Sequence, residues 1–487
     1  MGNQIAKRFI IVGAGPAGIH MAYLLALHGI KNVTILEKSD HLGGKCLSLA
    51  FHNQLHEMGA TYLHAGYGEL FKLLKDLHIE NNSSPIFSNE QYFFLDNSAH
   101  SVINGKNWLR QEVVKGNLLP SLQKLPKKLK TTRSLWSRLN LIIALIKYQF
   151  LHRKIFGKYS RDFLPKPDNN FLPLLSHSTH DFLVENGLQI LLPFFKACYV
   201  STGYGFLENS PALYALWFVS PVFLRQCFWG LIANKPIAYV LPEGYQAIWE
   251  TIVKQYELNI RYNIDIKVIE RDQPAAPVVI RGIDQVTGKE TEWLADEIIL
   301  TLPMKDSLSI LKEPTQNELD AFSKQKASTF ITSIISCTAD KRLEHQRIVF
   351  PKNLNIDGPG HLLNLRNSEE CTRLHNSDHH ERLDLVALQY IDNENYNKSE
   401  IDVSLKEELT MMGLKDVAVG LQKEWSYFPH YDAEQILAGY PWKILDFQGQ
   451  NHTWYGGSST CFESVLSVVN YNNQLISMIL PEEKQIK

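Results

Sequence analysis

At 487 residues the chain is too long for one simple core and suits two interleaved domains. It is 45% hydrophobic and 21% charged with a net charge of −2, which excludes a molecule built as a whole for nucleic acid. Its six cysteines (46, 198, 227, 337, 371, 461) form no CxxC pair and no metal-like spacing with histidine, so reduced thiols in a cytoplasmic protein and no metal centre are expected.

In chain order, Met1 to Lys7 runs straight into the apolar Phe9-Ile10-Ile11-Val12, which leaves no room for a signal peptide. Gly2 invites N-myristoylation, but Ala6 stands where Ser or Thr is preferred. Phe9 to Val12 predicts a buried parallel strand that breaks into Gly13-x-Gly15-x-x-Gly18 and opens into a helix over Ile19 to His28. A second strand, Val33 to Leu36, ends on Glu37, 19 residues after Gly18. Gly13 permits the tight turn, Gly15 lets backbone approach a pyrophosphate, and Gly18 lets helix and strand pack closely. The helix N-terminus, with Pro16 and Ala17, favours the anion, and Glu37 is placed to accept from ribose hydroxyls. This much predicts a dinucleotide site and leaves NAD and FAD both open.

The loop Lys38-Ser39-Asp40-His41-Leu42-Gly43-Gly44-Lys45-Cys46 follows, for which an NAD enzyme has no evident use. Glu57-Met58-Gly59-Ala60-Thr61 comes next, then short strands over Tyr92 to Asp96 and Ser101 to Ile103. Residues 106 to 161 hold fourteen Lys or Arg and one acid, Glu112, a net charge of +13 that leaves −15 for the rest. Interleaved with those bases is the helical-looking Leu139 to Leu151, so the segment is a candidate surface for an anionic membrane or an acidic partner, or simply a solvated helical face. The apolar run Ala212 to Ala233 is about as long as a membrane span, but Pro221, Arg225 and Gln226 interrupt it and favour a pocket wall or buried helix. Thr202 to Gly205 and Pro211 to Trp217 are further candidates to line a pocket.

Pro242-Glu243-Gly244 leads into an amphipathic helix, Ala247 to Tyr256, and strands at Ile260 to Tyr262 and Ile266 to Glu270. Val278 to Ile283 with Glu292-Trp293 predicts a small antiparallel sheet, and Ala295 to Pro303 another parallel strand. Residues 304 to 430 alternate strands and loops, with the polar stretch Asn364 to Asp384 carrying His375, His379 and His380 as an exposed loop. A closing series (Trp425 to Pro429, Ala438 to Pro441, Trp454 to Ser458) precedes Phe462-Glu463-Ser464-Val465 and a final helix through Ile476. Tyr440, Trp442 and Trp454 are the candidate substrate-facing aromatics.

The Gly43-Gly44 loop closely resembles the segment of flavin-containing amine oxidases and phytoene desaturases that lies against the FAD pyrophosphate and ribityl chain. Gly59, the Pro242 to Ile266 passage, the strand ending at Pro303 and the closing Gly456-Gly457-Ser458 turn resemble the same superfamily. Ser458 in place of glutamate, and Val465 to Asn470 in place of a GA-rich helix, look closer to its β-cyclopiazonate dehydrogenase-like branch.

The resemblance implies an α/β fold in which a Rossmann-like FAD-binding domain, a parallel sheet with helices, is interleaved with an α+β substrate-binding domain. The FAD domain would comprise 1–66, 236–303 and 431–487. The substrate domain would comprise 67–235 and 304–430, with the helical basic segment at 106–161. Non-covalent FAD would meet Gly13, Gly15, Pro16, Ala17, Gly18, Glu37, Lys38, Gly43, Gly44, Lys45, Gly59, Ala60, Thr61, Ile266, Gly457, Ser458 and Val465. Many relatives hold a water near flavin N5 with a lysine on a central strand, and the corresponding Phe330 to Cys337 has none. The implied activity is hydride removal from an amine-like or conjugated small molecule. The alternatives are a desaturase or dehydrogenase of a lipophilic substrate at a membrane surface, and a non-catalytic flavin-fold interaction protein.

Overall fold

The computed structural model describes residues 7–64, 66–79, 84–85, 92–95, 102–116, 130–157, 164–233, 238–271, 277–339, 347–355, 360–367, 383–392 and 396–481. Strand Phe9–Val12 sits at the centre of a five-stranded parallel sheet in the order Asn259–Arg261, Val33–Leu36, Phe9–Val12, Glu297–Leu300, Thr453–Tyr455. Period-two alternation divides this strand between two cores. Phe9 and Ile11 join the large cluster that includes helices Pro16–Leu27 and Val465–Ile479. Ile10 and Val12 join a second cluster with Ile264, Ile269 and Ile280 of the three-stranded antiparallel sheet Ile264–Glu270, Val278–Asp284, Glu290–Ala295. Full burial of each such side chain contributes about 1.5–3 kcal/mol, so this strand is pinned from both faces.

The second layer is a seven-stranded sheet ordered Leu414–His430, Lys326–Ala339, Leu383–Ile391, Leu362–Asn367, Arg347–Val349, Tyr92–Leu95, Val102–Asn104. Its neighbours pair antiparallel except Arg347–Val349 with Tyr92–Leu95. Leu383–Ile391 is buried at every position and mostly apolar; its two polar residues, Asp384 and Gln389, are hydrogen-bonded to Ser336 and to Gly360 C=O. Trp425 to Pro429, read above with the closing turn, belongs to the seventeen-residue strand Leu414–His430 of this sheet. The register shift between Lys326 and Ser328 bulges the partner strand at Phe428, which takes φ +52°.

The run Ala212 to Ala233 folds as two helices, Ala212–Phe218 and Pro221–Ala233, broken at the proline. No helix among the described residues is long and apolar enough to cross a membrane. A buried ion pair ties helix Gln316–Ser323 to the parallel sheet: Arg271 Nη1 and Nη2 donate to Glu318 at 2.8 and 2.7 Å, and Nη1 also donates to Thr453 Oγ1 at 3.0 Å. Glu318 completes a capping box with Thr315, so one carboxylate closes a helix and fixes a sheet edge.

Candidate functional site

The turn after the first strand is set by Gly13, at φ +107°, whose N–H donates to Leu36 C=O at 2.8 Å. A Cβ on Gly18 would stand 1.9 Å from the Gly13 carbonyl oxygen, so only glycine lets helix Pro16–Leu27 start this close to the strand. Glu37 locks the same turn: its carboxylate accepts Ala14 N–H at 2.6 Å and Ser39 N–H at 2.8 Å. Gly43 returns the next loop to it by donating its N–H to Ala14 C=O at 2.9 Å. Gly44 then faces Gly15 across a groove too narrow for side chains on both walls, since a Cβ on Gly44 would lie 3.1 Å from the Gly15 Cα.

A cavity of about 320 Å³ runs from this groove into the space between the two sheets. Of the residues expected to hold FAD, Gly13, Gly15, Pro16, Ala17, Glu37, Gly44, Lys45, Gly59, Ala60, Thr61, Gly457, Ser458 and Val465 all line it. The N-termini of helices Pro16–Leu27 and Val465–Ile479 both open on it, and their N–H groups and dipoles supply positive potential for a pyrophosphate or an electron-rich ring. Ser464 caps the second helix by accepting Ser467 N–H at 3.1 Å. Lys45 pairs with Glu463 at 2.6 Å, and Glu463 also accepts Phe428 N–H at 3.1 Å, joining the GG loop, the bulge and the closing helix.

Four expected cofactor contacts lie off the cavity wall. Gly18 and Gly43 sit behind it, where they permit the close packing just described. Lys38 is turned to Asp265, 3.1 Å away, with most of its side chain in solvent. Ile266, expected beside the adenine, is held in the three-stranded sheet at a register shift and packs against the second core instead.

The candidate substrate-facing aromatics need correction. Tyr440 donates its hydroxyl to Asp320, with oxygens at 2.7 and 2.8 Å, accepts from Lys324, and lies under Lys443. Trp442 donates to Leu164 C=O at 2.9 Å, and Trp454 to Glu297 at 3.0 Å. All three commit their polar atoms to these partners and lie outside the cavity. His375, His379 and His380 lie outside the described residues.

The walls beyond the nucleotide groove come from Thr202, Tyr204, Phe218, Phe330, Trp425 and Tyr427, joined by Tyr62, His64, Tyr67, Tyr245 and Leu388. Tyr427 stacks between Tyr204 (5.7 Å, 16°) and Phe330 (4.7 Å, 25°). Phe330 is what the lysine-free stretch Phe330 to Cys337 of strand Lys326–Ala339 presents to the cavity. Trp425 donates Nε1–H to Met58 C=O at 2.7 Å, leaving its ring against the cavity. Residues 211–217 contribute to a side pocket of about 70 Å³, lined by Trp217, that shares His64, Tyr67, Phe218 and Ser464 with the main cavity.

Two buried arginines in the wall went unread in the sequence. Arg347 donates from Nη2 to Ser201 C=O at 3.0 Å and lies over the Tyr62 ring. Arg366 donates to Thr61 Oγ1 and, at 2.8 Å, to Glu57 C=O. A usable signal existed: Leu362-Leu363-Asn364-Leu365-Arg366 is a leucine-rich, fully buried strand in which Arg366 is the lone charge. Burial pushes the His64 imidazole down to about 4 and raises the hydroxyls of Tyr67, Tyr204, Tyr245 and Tyr427. It also raises the thiols of Cys46 and Cys461.

Residues 16–379 match the model of the flavin containing amine oxidoreductases. The chain is 24% identical to a polyenoic fatty acid isomerase of Ptilota filicina over 96% of this chain and 93% of that one. Its fold superposes on a CLA-producing fatty acid isomerase from P. acnes with TM-score 0.76 at 22% identity, covering 98% and 99% of the two chains. Wild-type putrescine oxidase bound to putrescine superposes with TM-score 0.65 at 14% identity, covering 97% and 99%.

Proposed function

The chain belongs to the flavin-containing amine oxidoreductase family, and from that premise we propose that it is an FAD-dependent oxidoreductase whose substrate is a polyunsaturated fatty acid, in which it moves a double bond. The observation that carries this reading is the pair of buried guanidinium groups, Arg347 and Arg366, in the wall of an otherwise aromatic cavity. The cavity's two carboxylates are engaged, Glu37 by backbone N–H groups and Glu463 by Lys45. Arg347 and Arg366 add positive charge to this wall, which suits a carboxylate headgroup better than the ammonium of an amine substrate. Similarity to a polyenoic fatty acid isomerase along almost the whole chain supports the same assignment.

The residues present fit FAD. Gly15, Gly44 and the two helix N-termini would hold the pyrophosphate, and Glu37 the ribose hydroxyls. We read the attachment as non-covalent: burial raises the Cys46 and Cys461 thiols, which disfavours a thioether to the flavin. Bound FAD supplies acceptance of a hydride from one C–H carbon and its return to another, so the isomerisation needs no further oxidant. The protein's part is positioning: Phe330, Trp425 and Tyr427 offer flat apolar faces to a polyene, and the arginines fix its carboxylate end.

The test is anaerobic incubation of the flavin-loaded protein with linoleate and, separately, with putrescine. Conjugated-diene absorbance should rise with linoleate without oxygen uptake, and Arg347→Leu should raise KM about tenfold or more, the worth of a charge-assisted hydrogen bond. Flavin reduction by putrescine with no change in linoleate would overturn the assignment.

A further inference from the structure

Helix Lys130–Phe156 carries an apolar stripe that nothing in the described structure covers. Its inner face is ordinary: Ala144, Tyr148, His152 and Ile155 are buried, and Tyr148 O–H donates to Val219 C=O at 2.6 Å. On the opposite face stand Trp136, Leu139, Ile143, Ile146 and Phe150, spaced alternately by three and four residues. Trp136 is 63% and Phe150 71% exposed, and Ile142 widens the stripe beside them. At 1.5 Å per residue the stripe is about 21 Å long. The neighbouring helix Pro221–Ala233 adds Trp229, 67% exposed.

We propose that this face docks on the surface of an anionic lipid bilayer. Patches of this kind on a monomer mark an interaction site. The charge pattern selects among occupants. Helix Lys130–Phe156 contains six Lys or Arg and no acid, within a segment of net charge +13. On a 3.6-residue helix Arg138 and Lys147 fall on either side of the stripe, both exposed, with Arg153 and Lys154 exposed at its end. Bulky apolar side chains flanked by cations, with a tryptophan at the margin, suit a helix lying in the headgroup layer. A second copy of the chain is disfavoured because a two-fold contact through this face would set these cations against one another. The helix that carries this face packs against helix Pro221–Ala233, whose Phe223 and Gln226 line the side pocket that shares walls with the main cavity. Docking does not depend on the proposed reaction; only the use of that side pocket as a lipid route would rest on it.

The experiment is flotation of the purified full chain with phosphatidylcholine vesicles, with and without phosphatidylglycerol, at low and high salt. Binding should require the anionic lipid and weaken with salt, with a blue shift in tryptophan fluorescence. The double substitution Ile143→Glu with Phe150→Glu should abolish it. Arg138→Glu with Lys147→Glu should weaken it at least about fivefold per charge reversed. Both variants alter only exposed side chains, and unchanged thermal unfolding and flavin content confirm their fold. Absence of binding, or binding that survives either pair of substitutions, overturns the proposal. A dimer in solution that Ile143→Glu with Phe150→Glu dissociates, without vesicle binding, assigns the face to a second copy.

Discussion

Substituting Gly203 by alanine should deform the substrate end of the cavity and spare the nucleotide groove. Gly203 sits at φ +85°, and a Cβ there would lie 2.6 Å from both Cδ2 and Cε2 of Phe330 and 3.5 Å from Tyr427 Cε1. Unstrained carbon contacts need about 3.5–4.0 Å, so the Phe330 ring must retreat by roughly 1 Å. It is already stacked on Tyr427 at 4.7 Å and lines the cavity, so the retreat changes the wall that a substrate meets. The left-handed backbone costs alanine about 1–2 kcal/mol, and the overpacking about 1–3 kcal/mol. Together these predict a loss of about 2–5 kcal/mol, which in a chain of this size lowers Tm by only about 2–5 °C. Thermal unfolding, flavin absorbance and steady-state kinetics should then separate: modest destabilisation, full flavin content, raised KM. An alanine variant with unchanged Tm and KM would refute the packing of Gly203 on Phe330, and one that loses flavin would refute the division of the cavity into two ends.

Gly18→Ala should do the reverse. Its Cβ would stand 1.9 Å from backbone oxygen, which no rotamer relieves, so the phosphate turn must open and FAD affinity should fall about a hundredfold or more. Full flavin retention through gel filtration would sink that expectation. Glu318→Gln should cost about 3 kcal/mol at neutral pH by leaving Arg271 buried without its counter-charge. Burial pushes the Glu318 carboxyl up, but the hydrogen bonds from Arg271 and Tyr455 together with the Arg271 charge outweigh it and hold it below its ordinary range. Its contribution is therefore present above the unfolded-state value of about 4.3 and lost as pH falls through the lower folded value, so wild type and variant should converge in acid. Denaturant unfolding against pH checks this, and a gap that widens in acid contradicts it.

The nucleotide half of the site was legible because its determinants are local. Gly13, Gly15, Gly18, Glu37, Gly43 and Gly44 lie within 32 residues, and each answers to backbone geometry that the sequence alone dictates. The rest of the cavity is assembled from Tyr62, Tyr204, Arg347, Leu388 and Tyr427, contributed by different strands and turns of the seven-stranded sheet and its neighbours. Nothing in a window of sequence fixes which face of those strands meets the groove. That is why Tyr440, Trp442 and Trp454 were expected to face the substrate and Tyr427 was not. Asp320 and Leu164 C=O hold Tyr440 and Trp442 away from the groove, whereas Tyr427 donates to Thr202 C=O at 3.3 Å within its wall. The basic segment and its apolar helical stretch Leu139 to Leu151 were visible, but which of its apolar residues face outward was not. The helix is apolar on its inner face as well, so exposure had to be seen before the outer residues could be told from core.

The cavity's titration behaviour bears on which reaction it can run. Burial holds Tyr67, Tyr204, Tyr245 and Tyr427 protonated well beyond neutrality, keeps the Cys46 thiol protonated, and leaves His64 neutral with a value near 4, too weak a base to strip a carbon-bound proton. Glu37 and Glu463 are committed to backbone donors and Lys45. Proton abstraction from carbon is therefore poorly served, whereas hydride transfer asks only for alignment against the flavin and exclusion of water. The rate of flavin reduction by bound substrate, measured by anaerobic stopped flow, should accordingly be flat from about pH 6 to 9. A bell or a limb with a midpoint inside that window would show that a side chain in this cavity carries the proton, and the hydride assignment would fall with it.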